Sequence, residues 1–335
     1  MCTAATYKTD GFYFGRNLDY EVSYGEKIII TPRNYSFELR HVDKTYNNHF
    51  SMIGVGIIYN DYPLYYDAMN EKGLCIAGLN FVGNAKYEHD LSNDKNNIAS
   101  FELIPYLLGT CSSVLEVKEL LNNMVITDAE FMDGMAPGSL HWLIADRDNC
   151  ITVEYTKDGM HIYDNYVGVL TNNPPFPIQM FNLNNYQNLS VKQPINNFSK
   201  ELDLQTYSRG MGGLGLPGDL SSSSRFVKVA FTKCNSKSNN DEGSSVSQFF
   251  HILGSVEQQK GCCEVKEGDY EYTIYSSCCS VDTLTYYYKT YDNHSINAIS
   301  MKNENLDSNN LISYDLKLNG DIVYQNGSNW PLNSD

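Results

Sequence analysis

The sequence has few basic residues and no long apolar run. Its 335 residues include 24 Lys and Arg against 40 Asp and Glu, which gives a formal net charge of −16 at pH 7. Nucleic-acid binding needs basic surface, so we expect no nucleic-acid partner. No stretch approaches the ~18 apolar residues of a membrane span, and the first residues lack the basic start and apolar run of a signal peptide. We therefore expect no membrane span and a cytoplasmic protein.

Patterns typical of metal, disulfide and dinucleotide sites are also missing. The nine cysteines are odd in number, and neither adjacent pair, Cys262-Cys263 nor Cys278-Cys279, has C-x-x-C spacing or a nearby histidine. We expect reduced thiols and no metal site. A G-x-G-x-x-G match over 210–215 follows no predicted strand, and Pro217 stands where a helix would have to begin. This excludes a dinucleotide site, and we expect no cofactor.

What the sequence does contain is a cysteine directly after the initiator methionine. If Met1 is removed, Cys2 carries a free α-amine beside its thiol. The unperturbed pKa of an α-amine, roughly 7.7–8.0, nearly matches that of a thiol, about 8.5, so the amine can take the thiol proton at little cost. A nucleophile activated by its own amine is a recognised form of covalent catalysis. A cysteine at position 2 is by itself usually accidental, so its surroundings decide.

Those surroundings predict a hairpin. Residues 2–7 alternate, Asp10-Gly11 is a turn signal, and residues 12–18 are again strand-like. A hairpin would bring Arg16 and Asp19 beside the N-terminus. An arginine can stabilise a thiolate and a carboxylate can hold an ammonium group, so we predict these roles for Arg16 and Asp19.

The rest of the chain alternates groups of strands with pairs of helices. Helices are predicted over 101–108, after Ser113 with Glu116 completing a capping box, over 225–231 and over 244–253. This order predicts a layered α+β fold, and no boundary divides residues 1–335, so we expect one domain. The polar stretch 181–207 is predicted to be a lid or an assembly arm. The predicted strands are 28–30, 52–59, 64–69, 74–80, 140–145, 150–155, 159–163, 166–171, 271–277, 283–290 and 296–301.

Two asparagines stand where predicted strands end, and an arginine opens a predicted helix. Asn80 and Asn172 are neutral donors of the kind that can receive an oxyanion without pairing with the thiolate. Arg225 is a second candidate cation. Taken singly, each asparagine is as well explained as a turn residue, and Arg225 as a solvated helix-start charge.

Taken together, these residues resemble the choloylglycine hydrolase family of N-terminal-nucleophile (Ntn) hydrolases, which contains bile salt hydrolases and penicillin V acylases. The resemblance begins with Cys2-Thr3 and Phe14-Gly15-Arg16-Asn17-Leu18-Asp19 and continues through further blocks in the same order. These blocks are 70–74, 78–81, 140–142, 169–174, 215–219, 224–226, 249–253 and 286–291.

The family resemblance implies a fold, a site and a reaction. The fold would be a four-layer αββα sandwich with two mainly antiparallel sheets. The reaction would be hydrolysis of a non-peptide amide through a Cys2 thioester, without metal or cofactor, commonly in a homotetramer. The implied catalytic residues are Cys2, Arg16, Asp19, Asn80, Asn172 and Arg225.

The resemblance also bears on the substrate. Asparagine at position 80 resembles bile salt hydrolases, whereas penicillin V acylases usually carry tyrosine there, so we expect glycine- or taurine-conjugated bile salts. Ser208-Arg209-Gly210 resembles the triplet of glycine-preferring members. A sterol needs an apolar groove, and the predicted lining residues are Leu18, Tyr59, Tyr66, Phe131, Met135 and Leu140. The alternatives are penicillin V acylase activity at the same site and a non-catalytic protein that binds bile acids or lipids.

Overall fold

The computed structural model describes residues 1–41 and 46–325. Its strands are β1 (Cys2–Lys8), β2 (Phe12–Tyr20), β3 (Lys27–Thr31), β4 (Met52–Tyr59), β5 (Tyr62–Asn70), β6 (Cys75–Asn80), β7 (Asn96–Ala99), β8 (Met124–Thr127), β9 (Leu140–Ala145), β10 (Cys150–Thr156), β11 (Gly159–Asp164), β12 (Val169–Leu170), β13 (Glu264–Lys266), β14 (Asp269–Tyr270), β15 (Tyr272–Ser280), β16 (Thr285–Thr290), β17 (Asn293–Ser300) and β18 (Ile312–Asp315). Its α-helices are α1 (Leu103–Thr110), α2 (Val114–Asn122), α3 (Phe176–Asn182), α4 (Ser222–Asn235) and α5 (Glu242–Gly254).

Two large antiparallel sheets form the centre of the fold. The six-stranded sheet has the order β12-β1-β2-β15-β16-β17, and the eight-stranded sheet has the order β11-β10-β9-β6-β5-β4-β3-β18. The pairs β7–β8 and β13–β14 lie outside them. Because β1 and β2 are inner strands, the chain's first residues are fixed in a sheet, as a catalytic N-terminus requires.

The eight-stranded sheet is buried on both faces, and its strands alternate between two cores. In β3, Ile28 and Ile30 belong to a core shared with the six-stranded sheet and helices α4 and α5. Ile29 points the other way, into a core shared with α1 and α2. Strands that bury both faces read as continuous apolar runs, which explains the Ile-Ile-Ile sequence.

The layers are therefore α1/α2, the eight-stranded sheet, the six-stranded sheet and α4/α5. The four-layer αββα arrangement with two antiparallel sheets is confirmed. Within the described ranges, no helix is long and apolar enough to cross a membrane.

One predicted strand is wrong over most of its length. The stretch 166–171 is a turn up to Gly168, and only Val169–Leu170 pairs with β1. Asn165 forms the turn, because its side-chain oxygen accepts the Gly168 N–H at 2.7 Å and Gly168 has a φ of +59°. The short strand still delivers Asn172 to the end of β1.

Candidate active site

The N-terminal hairpin brings the thiol and its cation together. In the β1–β2 register Cys2 lies opposite Leu18, and Arg16 lies opposite Ala4. Cys2 and Arg16 are thus diagonal neighbours on one face of the pair, where long side chains meet. The Arg16 guanidinium donates a hydrogen bond to Cys2 Sγ through Nη2.

Arg16 is held by the neighbouring sheet. It is fully buried, and its Nη1 donates to the carbonyl oxygens of Tyr66 at 3.1 Å and Gly78 at 2.6 Å. Burial by itself lowers the pKa of Arg16, but electrostatic interaction with the ionisable groups of Cys2, Tyr275 and Asp67 more than offsets it and raises the pKa above its ordinary value. The side chain is therefore a fixed cation pointing at the thiol.

Asp19 lies on the other side of the N-terminus in a polar network. Its carboxylate accepts hydrogen bonds from Thr273 Oγ1 at 2.6 Å and Gln258 Nε2 at 3.1 Å, and it lies 3.8 Å from Arg225 Nη1. Burial raises the pKa of Asp19, while the charge of Arg225 opposes that rise. Thr273 and Gln258 were not predicted from the sequence, because neither lies near a recognisable motif.

Asn172 joins the cysteine to the second arginine. Its Oδ1 accepts from the Cys2 backbone N–H at 2.9 Å and from Arg225 Nη2 at 2.7 Å. Arg225 also donates to the Cys2 carbonyl at 2.6 Å. Arg225 is buried, and this burial lowers its pKa. A solvated charge is therefore not its role here.

The two predicted oxyanion donors meet at this point. Asn172 Nδ2 donates to the backbone carbonyl of Asn80 at 2.8 Å. An amide NH₂ carries two hydrogens, so Asn172 keeps a second N–H for a ligand. The half-buried Asn80 lines the cavity beside Cys2. All six predicted catalytic residues are thus brought together.

Met1 occupies the position next to the nucleophile. Its ammonium donates to the Asp19 carbonyl at 2.7 Å and pairs with the Glu271 carboxylate. Burial lowers the pKa of this terminal amine. With Met1 present, the Cys2 nitrogen is an amide and cannot serve as a base.

A cavity of about 250 Å³ opens beside the thiol. Of the predicted apolar lining residues, the structure brings Leu18, Tyr66 and Leu140 to it. The other walls include Tyr20, Val22, Tyr24 and Glu26, which directly follow Asp19 in the chain; this adjacency is the signal that could have identified them.

Three predicted lining residues lie elsewhere. Tyr59 packs edge-on against Phe131, with ring centroids 5.9 Å apart, and Phe131 also contacts Phe101 at 5.1 Å. Met135 is 40% exposed and does not reach the cavity. The structure does not bring Tyr59, Phe131 or Met135 to the cavity. The two aromatic residues pack in a separate cluster of rings instead. From the neighbouring stretch 131–138, only Gly138 lines the cavity.

No group of three or more metal-ligating side chains occurs among the residues that the structure describes. The site combines the Cys2 thiol and the Asp19 carboxylate with two guanidinium groups, and the positive charges of Arg16 and Arg225 oppose the binding of a metal cation there.

Comparison with known proteins matches this chain over nearly its whole length. A family model described as linear amide C–N hydrolases, choloylglycine hydrolase family, matches residues 2–314. A bile salt hydrolase/transferase of Lactiplantibacillus plantarum is 58% identical, over 95% of this chain and 97% of that protein.

Solved structures agree. A mutant of the conjugated bile acid hydrolase from Clostridium perfringens superimposes with a TM-score of 0.90 at 36% identity, covering 97% of this chain and 100% of that chain. A penicillin V acylase from Agrobacterium tumefaciens gives a TM-score of 0.74 at 18% identity, covering 96% of this chain and 94% of that one. The second likeness concerns the fold alone.

Proposed function

The chain belongs to the choloylglycine hydrolase family of linear amide C–N hydrolases, and from this premise we propose that it hydrolyses glycine- or taurine-conjugated bile salts. The observation that carries the proposal is the Cys2 thiol, bonded by Arg16, in the wall of a largely apolar cavity. Its relatives support the choice of substrate, since the protein that is 58% identical is named a bile salt hydrolase/transferase.

Removal of Met1 creates the catalytic group. The freed Cys2 amine replaces an amide nitrogen that now donates to Asn172 Oδ1 at 2.9 Å. Asp19, buried close by, supplies the negative charge that holds the amine when it is protonated. Arg16 stabilises the thiolate. The proton transfer from thiol to amine then takes place between two groups of one residue.

The reaction proceeds in two stages. The Cys2 thiolate attacks the amide carbonyl of the substrate, and the oxyanion accepts the second N–H of Asn172 with help from Asn80. The Cys2 ammonium then gives its proton to the leaving amine of glycine or taurine, which leaves a thioester. Water, deprotonated by the same amine, hydrolyses the thioester and releases the bile acid.

The cavity suits the apolar end of such a substrate. Leu18, Tyr66 and Leu140 supply apolar and aromatic walls next to the thiol. At about 250 Å³ the cavity is slightly smaller than the usual 300 Å³ or more of ligand pockets. It therefore takes the part of the acyl group nearest the carbonyl, and the rest extends past the exposed side chains of Val22 and Tyr24 at its rim.

We also propose a cytoplasmic homotetramer. All nine cysteines are unpaired, which fits a reducing compartment. The surface segment 181–207 exposes apolar side chains that a second copy would cover, since Ile195 is 77% and Phe198 83% exposed.

The test is release of free glycine from glycocholate by the purified protein under reducing conditions, with Cys2→Ala as the control. Release that depends on Cys2 is the expected result. If a protein that begins at Cys2 releases no glycine, glycocholate is rejected, and phenoxyacetate release from penicillin V becomes the next assay. A bile-acid binding protein would keep its affinity for cholate after Cys2→Ala and release no amine from either substrate.

A further inference from the structure

A buried histidine lies beside the two asparagines of the proposed oxyanion site and contacts a sequence neighbour of each. His141 on β9 is fully buried, and its Nε2 is 2.9 Å from the carbonyl oxygen of Thr171, the residue before Asn172. Its ring stacks on Phe81, the residue after Asn80, with centroids 4.3 Å apart and planes 8° apart. The imidazole thus contacts the residue that precedes Asn172 and the residue that follows Asn80.

The partners of the His141 ring fix which of its nitrogens carries a hydrogen. His141 Nδ1 lies 3.1 Å from Glu154 Oε1, and the same oxygen accepts the Phe176 N–H at 2.9 Å. A carbonyl oxygen only accepts, so Nε2 must carry a hydrogen to bond Thr171. Nδ1 faces the Glu154 carboxylate, and Nε2 donates to Thr171.

The bond from His141 closes a clamp on the peptide group before Asn172. The carbonyl of that peptide accepts from His141, and its N–H, which belongs to Asn172, donates to Ser222 Oγ at 2.8 Å. Ser222 is the first residue of α4, the helix that also carries Arg225. The peptide cannot rotate without breaking one of these bonds.

We propose that His141, oriented by Glu154, is a positioning residue that sets the distance between Asn80 and Asn172 in the oxyanion site. The proposal rests on the roles proposed above for those asparagines. A misplacement of about 1 Å in a reacting group costs roughly a hundredfold in rate, and loss of an oxyanion donor costs a hundredfold or more.

The main test is His141→Phe, which keeps a ring to stack on Phe81 and removes the bond to Thr171. The expected result is a kcat for glycine release about ten- to a hundredfold lower, with KM changed by less than about threefold. The matched control is His49→Phe. His49 is also buried, its ring nitrogens lie 2.8 Å and 2.9 Å from the carbonyls of Phe50 and Tyr35, and it does not line the cavity.

A second measurement separates positioning from general damage. Alkylation of Cys2 by iodoacetamide needs the thiolate and access to it but no oxyanion site. We expect His141→Phe to alkylate Cys2 as fast as wild type while turning over more slowly. Equal losses in both rates, or a kcat no lower than that of His49→Phe, would overturn the proposal. His141→Gln, whose amide N–H can reach Thr171, should recover most of the lost kcat.

Glu154→Gln keeps the test decisive if His141→Phe does not fold. If the glutamine oxygen keeps the bond from the Phe176 N–H, a neutral His141 has one hydrogen for two acceptors, so donation from Nε2 to Thr171 competes with donation from Nδ1. The expected kcat is roughly five- to tenfold lower, the size expected when one hydrogen bond is weakened, with Cys2 alkylation unchanged. Glu102→Gln, at a buried carboxylate that accepts the N–H groups of Arg40 and Ala99, is the control. Unchanged kcat in Glu154→Gln would count against the proposal. If wild type itself releases no glycine, the proposed function has failed, and penicillin V replaces glycocholate in the same comparison.

Discussion

The Arg16 guanidinium stays charged inside the protein because every group it contacts favours the charge. It meets a thiol, three carbonyl oxygens and, further away, the buried carboxylate of Asp67. Asp67 is in turn held by the hydroxyls of Tyr275 at 2.5 Å and Tyr286 at 2.6 Å. A buried cation of this kind is costly unless paired, and the Cys2 thiolate completes the pairing.

This arrangement predicts that Arg16→Gln slows the reaction of Cys2 with iodoacetamide at pH 7 by about tenfold or more. An adjacent cation typically lowers the pKa of a thiol by a unit or more, and its loss reduces the thiolate fraction accordingly. The rate is measured by mass spectrometry of the N-terminal peptide. Arg33→Gln, an arginine paired with Glu71 and Asp307 away from the site, is the control. Equal rates in the two variants would contradict the role of Arg16.

The other cysteines should differ in their reactivity with iodoacetamide according to their burial. Burial raises the pKa of the Cys111 thiol to about 12, so at pH 8 only about one molecule in 10⁴ carries the thiolate there. We expect iodoacetamide to label the exposed Cys234 and Cys262 of the native protein and to leave Cys111 unlabelled. Peptide mapping after labelling measures this. Because the thiol of the unfolded chain titrates near 8.5, ionisation of Cys111 favours unfolding as the pH rises from there towards 12. Labelling of Cys111 at pH 8 in the folded protein would contradict its burial.

Among single site residues, the sequence predicts those whose contacts are set by nearby backbone geometry. Arg16 and Asp19 follow from the hairpin, because pairing across a short turn fixes which residues face Cys2. The positions of Tyr59 and Phe131 could not be predicted in this way. Alternation assigns residues to the two faces of a strand but does not say which face borders the cavity. The role of His141 was not predicted, although it lies in block 140–142, because its contacts with Phe81 and Thr171 join segments that are distant in the sequence.

Helix ends are predicted only in part, since the cap of α2 is correct whereas α4, predicted over 225–231, spans Ser222–Asn235. Ser113 caps α2 as predicted, with its side chain accepting the Glu116 N–H at 3.3 Å. In a capping box the Glu116 carboxylate would accept the backbone N–H of Ser113. Here it accepts the N–H and the hydroxyl of Ser112 instead, at 2.6 Å and 2.9 Å. For α5 the predicted start at 244 is two residues late, because Asp241 is the N-cap and accepts the Ser244 N–H at 2.9 Å.

The cap predicts a stability change without a change in activity. Ser113→Ala should lower the free energy of unfolding by about 1 kcal/mol, the usual cost of losing an N-cap, because the Glu116 N–H loses its acceptor. Urea denaturation measures the change, and glycine release should equal that of wild type. Ser112→Ala removes one hydroxyl bond to the Glu116 carboxylate and leaves the backbone N–H bond in place, so it should cost less. A larger loss for Ser112→Ala than for Ser113→Ala would contradict this assignment of the cap.

Edge strand β18 lacks the pattern by which a strand is predicted from sequence. Strand β18 at the edge of the eight-stranded sheet was not predicted, because its pairing with β3 joins residues almost the full length of the chain apart. Tyr314 and Asp315 at this edge are exposed, so the strand carries no apolar periodicity to identify it. Its position depends on β3, which the apolar run at 28–30 did predict.

For the whole molecule, the layered α+β class follows from the order of strand groups and helix pairs. The order of the strands within each sheet does not, because it depends on contacts between distant segments such as β2 with β15 and β6 with β9. The family resemblance supplied the four layers and the two antiparallel sheets, but not this order. The net charge of −16 describes the surface, while the site itself concentrates two buried arginines beside the nucleophile.

The exposed apolar side chains of segment 181–207 predict how copies associate. The double variant Ile195→Asp with Phe198→Asp should lower the mass measured by light scattering below that of four chains, because it places charges in the contact between copies. Tyr166→Asp changes an equally exposed aromatic residue outside the segment, 91% exposed, and should leave the mass unchanged. A wild-type mass of one chain, or a mass that the double variant does not change, would contradict the assembly.

The most direct test of the mechanism is mass spectrometry of the intact chain, quenched with acid during turnover of glycocholate. The account predicts that the active protein lacks Met1 and that a fraction carries one cholyl group on its N-terminal peptide, at Cys2. This cholyl-bearing fraction should be larger when the thioester is hydrolysed more slowly than it forms. It should be absent in Cys2→Ala. An active enzyme that retains Met1, or a cholyl group on any other residue, would contradict the central claim that a freed N-terminal cysteine performs the reaction.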